Sequence, residues 1–191
     1  KSLRVWLDPS STNMGTRLIF DESQIFEKNC PIVILKSLKN NSEIKSIKNA
    51  HKLAGVAVLK SFVRLEQKVE TGNMLTEKEY VDLLLEEYSK LENFSELSFS
   101  TIAGSGSNGA IVHHSEPESK KTMLKGEMLL VDSGIQCAGG TTDATRTFIL
   151  GKPNHRQIKI FTLVLQAHIR LAKQIFPEGT NGASLDSITR S

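Results

Sequence analysis

Leu130-Val131-Asp132-Ser133-Gly134, followed by Gly139-Gly140-Thr141-Thr142-Asp143-Ala144-Thr145-Arg146, is the stretch on which the fold turns. Met128 to Val131 is a short apolar run of strand type, and Thr145 to Ile149 is a second one. Between them Gly139-Gly140 favours a tight turn. The reading is an antiparallel hairpin with an Asp on each arm, Asp143 standing eleven positions after Asp132. The midpoint between the two falls at Cys137-Ala138. A hairpin centred there sets the carboxylates directly opposite each other, about 5 Å apart at the backbone. The two glycines lie slightly past that midpoint, which predicts a wide loop or a bulge. Carboxylates that close repel each other unless something positive lies between them. Divalent ions answer that need, and all-oxygen ligands suit manganese. Two such ions about 3.5–4 Å apart can share a water, lower its pKa and clamp an amide carbonyl. Spacing alone does not decide the matter, because strand-end Asp residues are commonly turn formers or caps.

Outward from the hairpin, Phe99 to Ile102 and Ala110 to Val112 also read as strands, which makes Leu97 to Leu150 an antiparallel sheet. Before it come two helices. The first has Asn40 as N-cap with Glu43 three positions on, apolar residues at helical spacing from Ile44 to Val69, and Gly72 as its stop. The second starts from a Thr76/Glu79 capping box and presents Tyr80, Leu83, Leu84, Tyr88 and Leu91 on one face. After the sheet, a third helix runs from about Asn154 to Phe176, stopped by Pro177 and Gly179. A fourth begins near Ala183. The first thirty residues read as a strand at Arg4 to Asp8, a turn at Pro9 to Asn13, an apolar run at Arg17 to Phe20 and a helical turn opening at Asp21-Glu22. The fold class is α+β.

Composition excludes several functions. In 191 residues, 39% are hydrophobic and 24% charged, as in an ordinary globular protein. A net charge of +3 gives no reason to expect nucleic acid or an anionic membrane as partner. No apolar run approaches the ~18–20 residues of a membrane span. Lys1-Ser2-Leu3-Arg4 opens neither a signal peptide nor an intact chain, so the expectation is a piece of a longer protein. Cys30 and Cys137 lack Cys or His partners at metal-ligand spacing and read as reduced thiols. His168 falls on the apolar face of the third helix and reads as a core histidine, whereas His51 and His155 read as solvent-facing. Gly104 to Gly109 reads as a loop at a site mouth. It is not a phosphate cradle, since no strand-to-helix junction and no Lys-Ser or Lys-Thr accompany it.

Asp132-Ser133-Gly134 with Gly140 to Thr147 resembles the metal-binding hairpin of the methionine aminopeptidase and prolidase superfamily. Within it, Ser98 to His113 (Ser-Phe-Ser-Thr-Ile-Ala-Gly-Ser-Gly-Ser-Asn-Gly-Ala-Ile-Val-His) and Phe176 to Thr180 resemble the cytosolic aminopeptidase P family. The resemblance implies a pita-bread fold, a curved antiparallel sheet with helix pairs outside, over residues 31–191, with residues 1–30 as the tail of a preceding domain. It implies an exopeptidase that releases the first residue from peptides with proline in second position. It implies two divalent ions as cofactor, manganese first, with zinc or cobalt as alternatives. Asp132 matches a ligand of one metal and Asp143 the bridge between both. His113 matches a histidine that binds or polarises substrate, and His114, where many relatives carry Tyr, reads as its neighbour. The family uses five metal ligands, and the last three match segments beyond Ser191, so this chain alone is expected to be inactive. A homodimer, a cytoplasmic location, and no partnership with nucleic acid or membrane complete the expectations. The alternatives are a prolidase and a non-catalytic pita-bread module that binds proteins.

Overall fold

The computed structural model describes residues 3–114, 120–137 and 139–191. The chain forms two compact units, Lys1–Ser46 and Ile47–Ser191.

In the first unit β1 (Val5–Leu7) pairs in parallel with β2 (Ile25–Glu27). Between them lie α1 (Met14–Arg17), capped by the Asn13 side chain, and a 3-10 turn at Glu22–Gln24. Helix α2 (Pro31–Ser37) starts with proline in its first turn, where the missing N–H costs nothing. The Asp8 carboxylate holds the ends of this unit together. It accepts hydrogen bonds from the Ser10 hydroxyl at 2.6 Å and from the backbone N–H of Cys30 at 2.7 Å. These bonds, the Ser10 hydroxyl first, hold its pKa below the usual carboxylate range. The apolar run read at Arg17–Phe20 is the end of α1 and the turn after it, not a strand.

The helix starting at Asn40 forms as its sequence predicts. In α3 (Asn41–Glu70) the Asn40 side chain accepts the Glu43 N–H at 3.0 Å, and the Glu43 carboxylate accepts the Asn40 N–H at 2.8 Å. Gly72, with φ +80°, closes it. Helix α4 (Glu77–Ser89) carries the Thr76/Glu79 box. The strands are β3 (Phe94–Leu97), β4 (Ile102–Ser105), β5 (Met128–Ser133), β6 (Ile135–Cys137), β7 (Gly140–Thr141) and β8 (Ala144–Ile149). They pair antiparallel in the orders β4-β5-β8 and β3-β6-β7. The residues read as a strand at Ala110–Val112 instead complete a 3-10 turn, Gly106–Ala110, and the turn after it. Gly, Ser and Asn satisfy their backbone locally and so compete with a ladder there.

Alternate residues of β5, Leu129, Val131 and Ser133, are buried against the apolar faces of α3 and α4, with Ala50, Ala54, Ala57, Leu65, Tyr80, Leu84 and Tyr88 among the core. Phe62 of α3 stacks on Phe148 of β8 at 4.2 Å between ring centroids. The Tyr88 hydroxyl meets Ser133 Oγ at 2.8 Å. Tyr80 is fully buried and donates to Ser61 Oγ at 3.1 Å, since that hydroxyl gives its own proton to the Val58 carbonyl. Burial pushes the Tyr80 pKa from 10.0 up to about 12. The folded state therefore holds this proton more tightly than the unfolded state does. The stability it contributes is present below the unfolded value and is lost as pH rises through about 10 to about 12. Denaturant unfolding followed across that window is expected to show a loss of about 2–3 kcal/mol, at least halved in Tyr80→Phe, which has no proton to lose. An equal fall in the variant would contradict the assignment.

Helix α5 (His155–Ala172) packs on α6 (Gly182–Arg190), and the Gln157 amide donates to the Gly126 carbonyl at 2.8 Å. His168 is exposed, which corrects its reading as a core histidine. Among the described residues α5 buries none completely, and Ile158, Phe161 and Leu165 are about half exposed. Helical spacing identifies which residues share a face but not what covers that face. No helix among the described residues is long and apolar enough to cross a membrane.

Candidate metal centre

Asp132 stands next to last in β5, between Ile102 of β4 and Thr145 of β8. Burial alternates along the strand, so Asp132 shares with Met128 and Leu130 the face turned away from the α3–α4 core. Its Oδ1 is shielded from solvent and has no hydrogen-bond partner among the described residues.

Asp143 lies just before β8 and is exposed. The hairpin keeps one register throughout: Asp132 faces Thr145, Ser133 faces Ala144, Gln136 faces Thr141 and Cys137 faces Gly140. Its centre therefore falls one residue later than the sequence midpoint suggests, with Gly139 at φ +76°; Ala138 lies outside the described residues. Moving the centre by one residue shifts each partner by two positions. Thr145, not Asp143, thus lies directly opposite Asp132. A shift of two preserves the face, because side chains alternate with period two. Asp143 stands two positions before Thr145 and one residue outside the β5/β8 ladder; in a regular sheet that position is diagonal to Asp132, about 7–8 Å away at Cα.

The expected irregularity falls at Gly134 and Thr142, not at the turn. The Ile135 N–H donates to the Thr142 hydroxyl at 2.9 Å, and the Thr142 carbonyl accepts from the Ser98 hydroxyl at 2.8 Å. A side chain thus replaces a ladder bond, and the hairpin divides into its β5/β8 and β6/β7 parts immediately beside Asp143.

His113 follows the 3-10 turn, exposed, with a left-handed backbone at φ +55°. That conformation is uncommon outside glycine and persists where neighbours enforce it. His114, beside it, is buried and brings Nε2 to 3.3 Å from the Glu77 carboxylate. Glu77, 1% exposed, also accepts the Ser105 N–H at 2.7 Å and the Asn108 amide at 3.0 Å. Sequence reading missed this buried carboxylate. Its only signal is a charged residue in the first turn of α4, a position where acids serve as solvent-exposed dipole partners in most helices. His51 and His155 are exposed, as expected. An apolar cavity of about 390 Å³ between Phe62, Phe148 and Phe161 is not lined by either Asp.

A shielded, unpaired carboxylate oxygen is costly unless a cation or donor meets it. Two hard oxygen donors on one sheet face suit a divalent ion. Among the described residues no group of three or more His, Cys, Asp and Glu is placed to hold a metal ion.

Residues 45–191 match the metallopeptidase family M24, and the chain belongs to that family. It is 44% identical over 162 residues to "Aminopeptidase P2" of Arabidopsis thaliana, covering 84% of this chain and 23% of that protein. It is 36% identical to "Xaa-Pro aminopeptidase 1" of Dictyostelium discoideum, covering 98% of this chain and 30% of that protein. Among solved structures, the X-prolyl aminopeptidase of Caenorhabditis elegans, described as a cytosolic enzyme with a di-nuclear active site, superposes with a TM-score of 0.86 at 30% identity, covering 100% of this chain and 31% of that one. The chain thus has part of the pita-bread fold and spans less than a third of the length of these relatives.

Proposed function

We propose that Asp132 and Asp143 are two ligands of a two-metal centre in a protein that releases the N-terminal residue from peptides with proline in second position. The observation that carries this is the shielded Oδ1 of Asp132, which has no hydrogen-bond partner among the described residues, on the strand whose ladder ends one residue short of Asp143. Manganese is the ion best matched to these all-oxygen donors. When bound, such ions supply Lewis acidity and a nucleophilic water at neutral pH. In this reading His113, exposed on its turn, donates a hydrogen bond to the substrate carbonyl as negative charge develops there. Residues 1–30 belong to a preceding domain and 31–191 to the catalytic one. In this reading the whole protein works in the cytoplasm, where thiols such as Cys30 and Cys137 stay reduced, and as a homodimer.

The test uses the whole protein, stripped with chelator and reloaded with manganese, on a Xaa-Pro-Yaa tripeptide and a Xaa-Pro dipeptide. The tripeptide is expected to be favoured by about tenfold or more in kcat/KM, and the 191-residue chain alone to turn over neither. Preference for the dipeptide would make the protein a prolidase. Hydrolysis of neither by the metal-loaded protein would leave a protein-binding module.

A further inference from the structure

We infer that Glu77 is a positioning residue for His113, acting through the buried cluster it forms with Ser105, Asn108 and His114; this rests on the peptidase reading above. Three segments converge on its carboxylate. Its Ser105 bond fixes the end of β4, the strand that pairs with β5 and sets Ile102 beside Asp132. Its Asn108 bond fixes the 3-10 turn, which packs on both β4 and β5. That packing is close: a Cβ on Gly104 would stand 2.8 Å from the Asn108 carbonyl carbon. Its contact with His114 fixes the residue immediately after His113. The intervening backbone is tied down as well, with the Ile111 N–H on the Asn108 carbonyl at 3.0 Å and the His114 N–H on the Ile111 carbonyl at 3.2 Å.

The left-handed backbone of His113 is therefore held on both flanks by one anion that solvent does not reach. With Asn108 and His114 drawn inward, His113 is left outside. A buried carboxylate attracts such donors strongly, because little water competes for it. The same anion that fixes His113 fixes the strand neighbouring Asp132, so Glu77 sets the imidazole's place relative to the metal ligands. Displacing a reacting group by about 1 Å costs on the order of 10²-fold in rate.

The experiment uses the whole, manganese-loaded protein. Glu77→Gln keeps the shape but brings an NH₂ against the Ser105 and Asn108 donors. It is expected to lower kcat about 30-fold with KM within about twofold and metal content unchanged. In a His113→Ala background the same change is expected to cost less than about threefold, since it acts through the imidazole. His114→Phe removes one of these contacts and is expected to give a smaller loss with the same dependence on His113. If Glu77→Gln does not fold, His114→Phe decides by the same criteria. Unaltered kcat, a loss in KM or metal content alone, or an equal loss in both backgrounds overturns the inference. Full activity of His113→Ala would instead overturn the role given to His113.

Discussion

Asp132→Asn in the whole protein is expected to lower kcat/KM for a Xaa-Pro tripeptide by on the order of 10³-fold, equivalent to about 4 kcal/mol of transition-state stabilisation. The amide keeps the shape of the side chain but not its charge. The shielded Oδ1 has no hydrogen-bond partner among the described residues, and the cation proposed above would supply one. The structural consequence runs the other way. In metal-free protein Oδ1 is a shielded oxygen without a hydrogen-bond partner among the described residues, and the neutral amide should leave stability equal or raised. Metal should then reverse the order. Wild type gains about 2.7 kcal/mol at a hundredfold excess of ion over its Kd, and Asp132→Asn gains far less. Unfolding curves with chelator and with manganese, measured beside activity, check both halves. A variant stabilised by manganese as much as wild type would remove Asp132 from the ligand set.

Gly134→Ala is expected to destabilise the protein by about 3 kcal/mol or more, a fall in Tm of about 6–12 °C. A Cβ at this position would stand 2.0 Å from the Thr142 carbonyl oxygen and 2.2 Å from Ser98 Oγ. Those two atoms are bonded to each other, and the Ser98 N–H donates to the Gly134 carbonyl at 3.0 Å. The segment just after β3 therefore approaches the hairpin too closely to admit a methyl group. Overpacking of this kind costs ~1–3 kcal/mol, and each displaced hydrogen bond adds about 1 kcal/mol. Gly72→Ala serves as the comparison. That site has open space around it and a φ of +80°, so the added methyl meets nothing and the cost is left-handed backbone strain alone, about 1 kcal/mol. Equal Tm values for the two variants would show that the close approach at Gly134 is not what fixes the hairpin. Because Thr142 precedes Asp143, Gly134→Ala should also weaken manganese binding, whereas Gly72→Ala should not.

Local chemistry made the helices legible. The Asn40/Glu43 and Thr76/Glu79 boxes, the stop at Gly72 and the Tyr80–Leu84–Tyr88 stripe are each encoded within a few residues, and each forms as read. The β5/β8 hairpin and the two acids on it were legible for the same reason: an apolar run, a glycine pair and a second run lie close in sequence. The exact partner of Asp132 was not, because moving the turn's centre by one residue changes register without altering composition.

By itself, then, the sequence determined which residues share a helix face and which face of its strand carries Asp132, since periods of 3.6 and 2 are properties of the local backbone. Tertiary structure alone decided the register opposite Asp132, the solvent exposure of His168, and the burial of Glu77 among Ser105, Asn108 and His114. Those outcomes depend on groups 28 to 37 positions apart in the Glu77 cluster, and no short-range pattern can encode contacts made only after the chain has closed on itself.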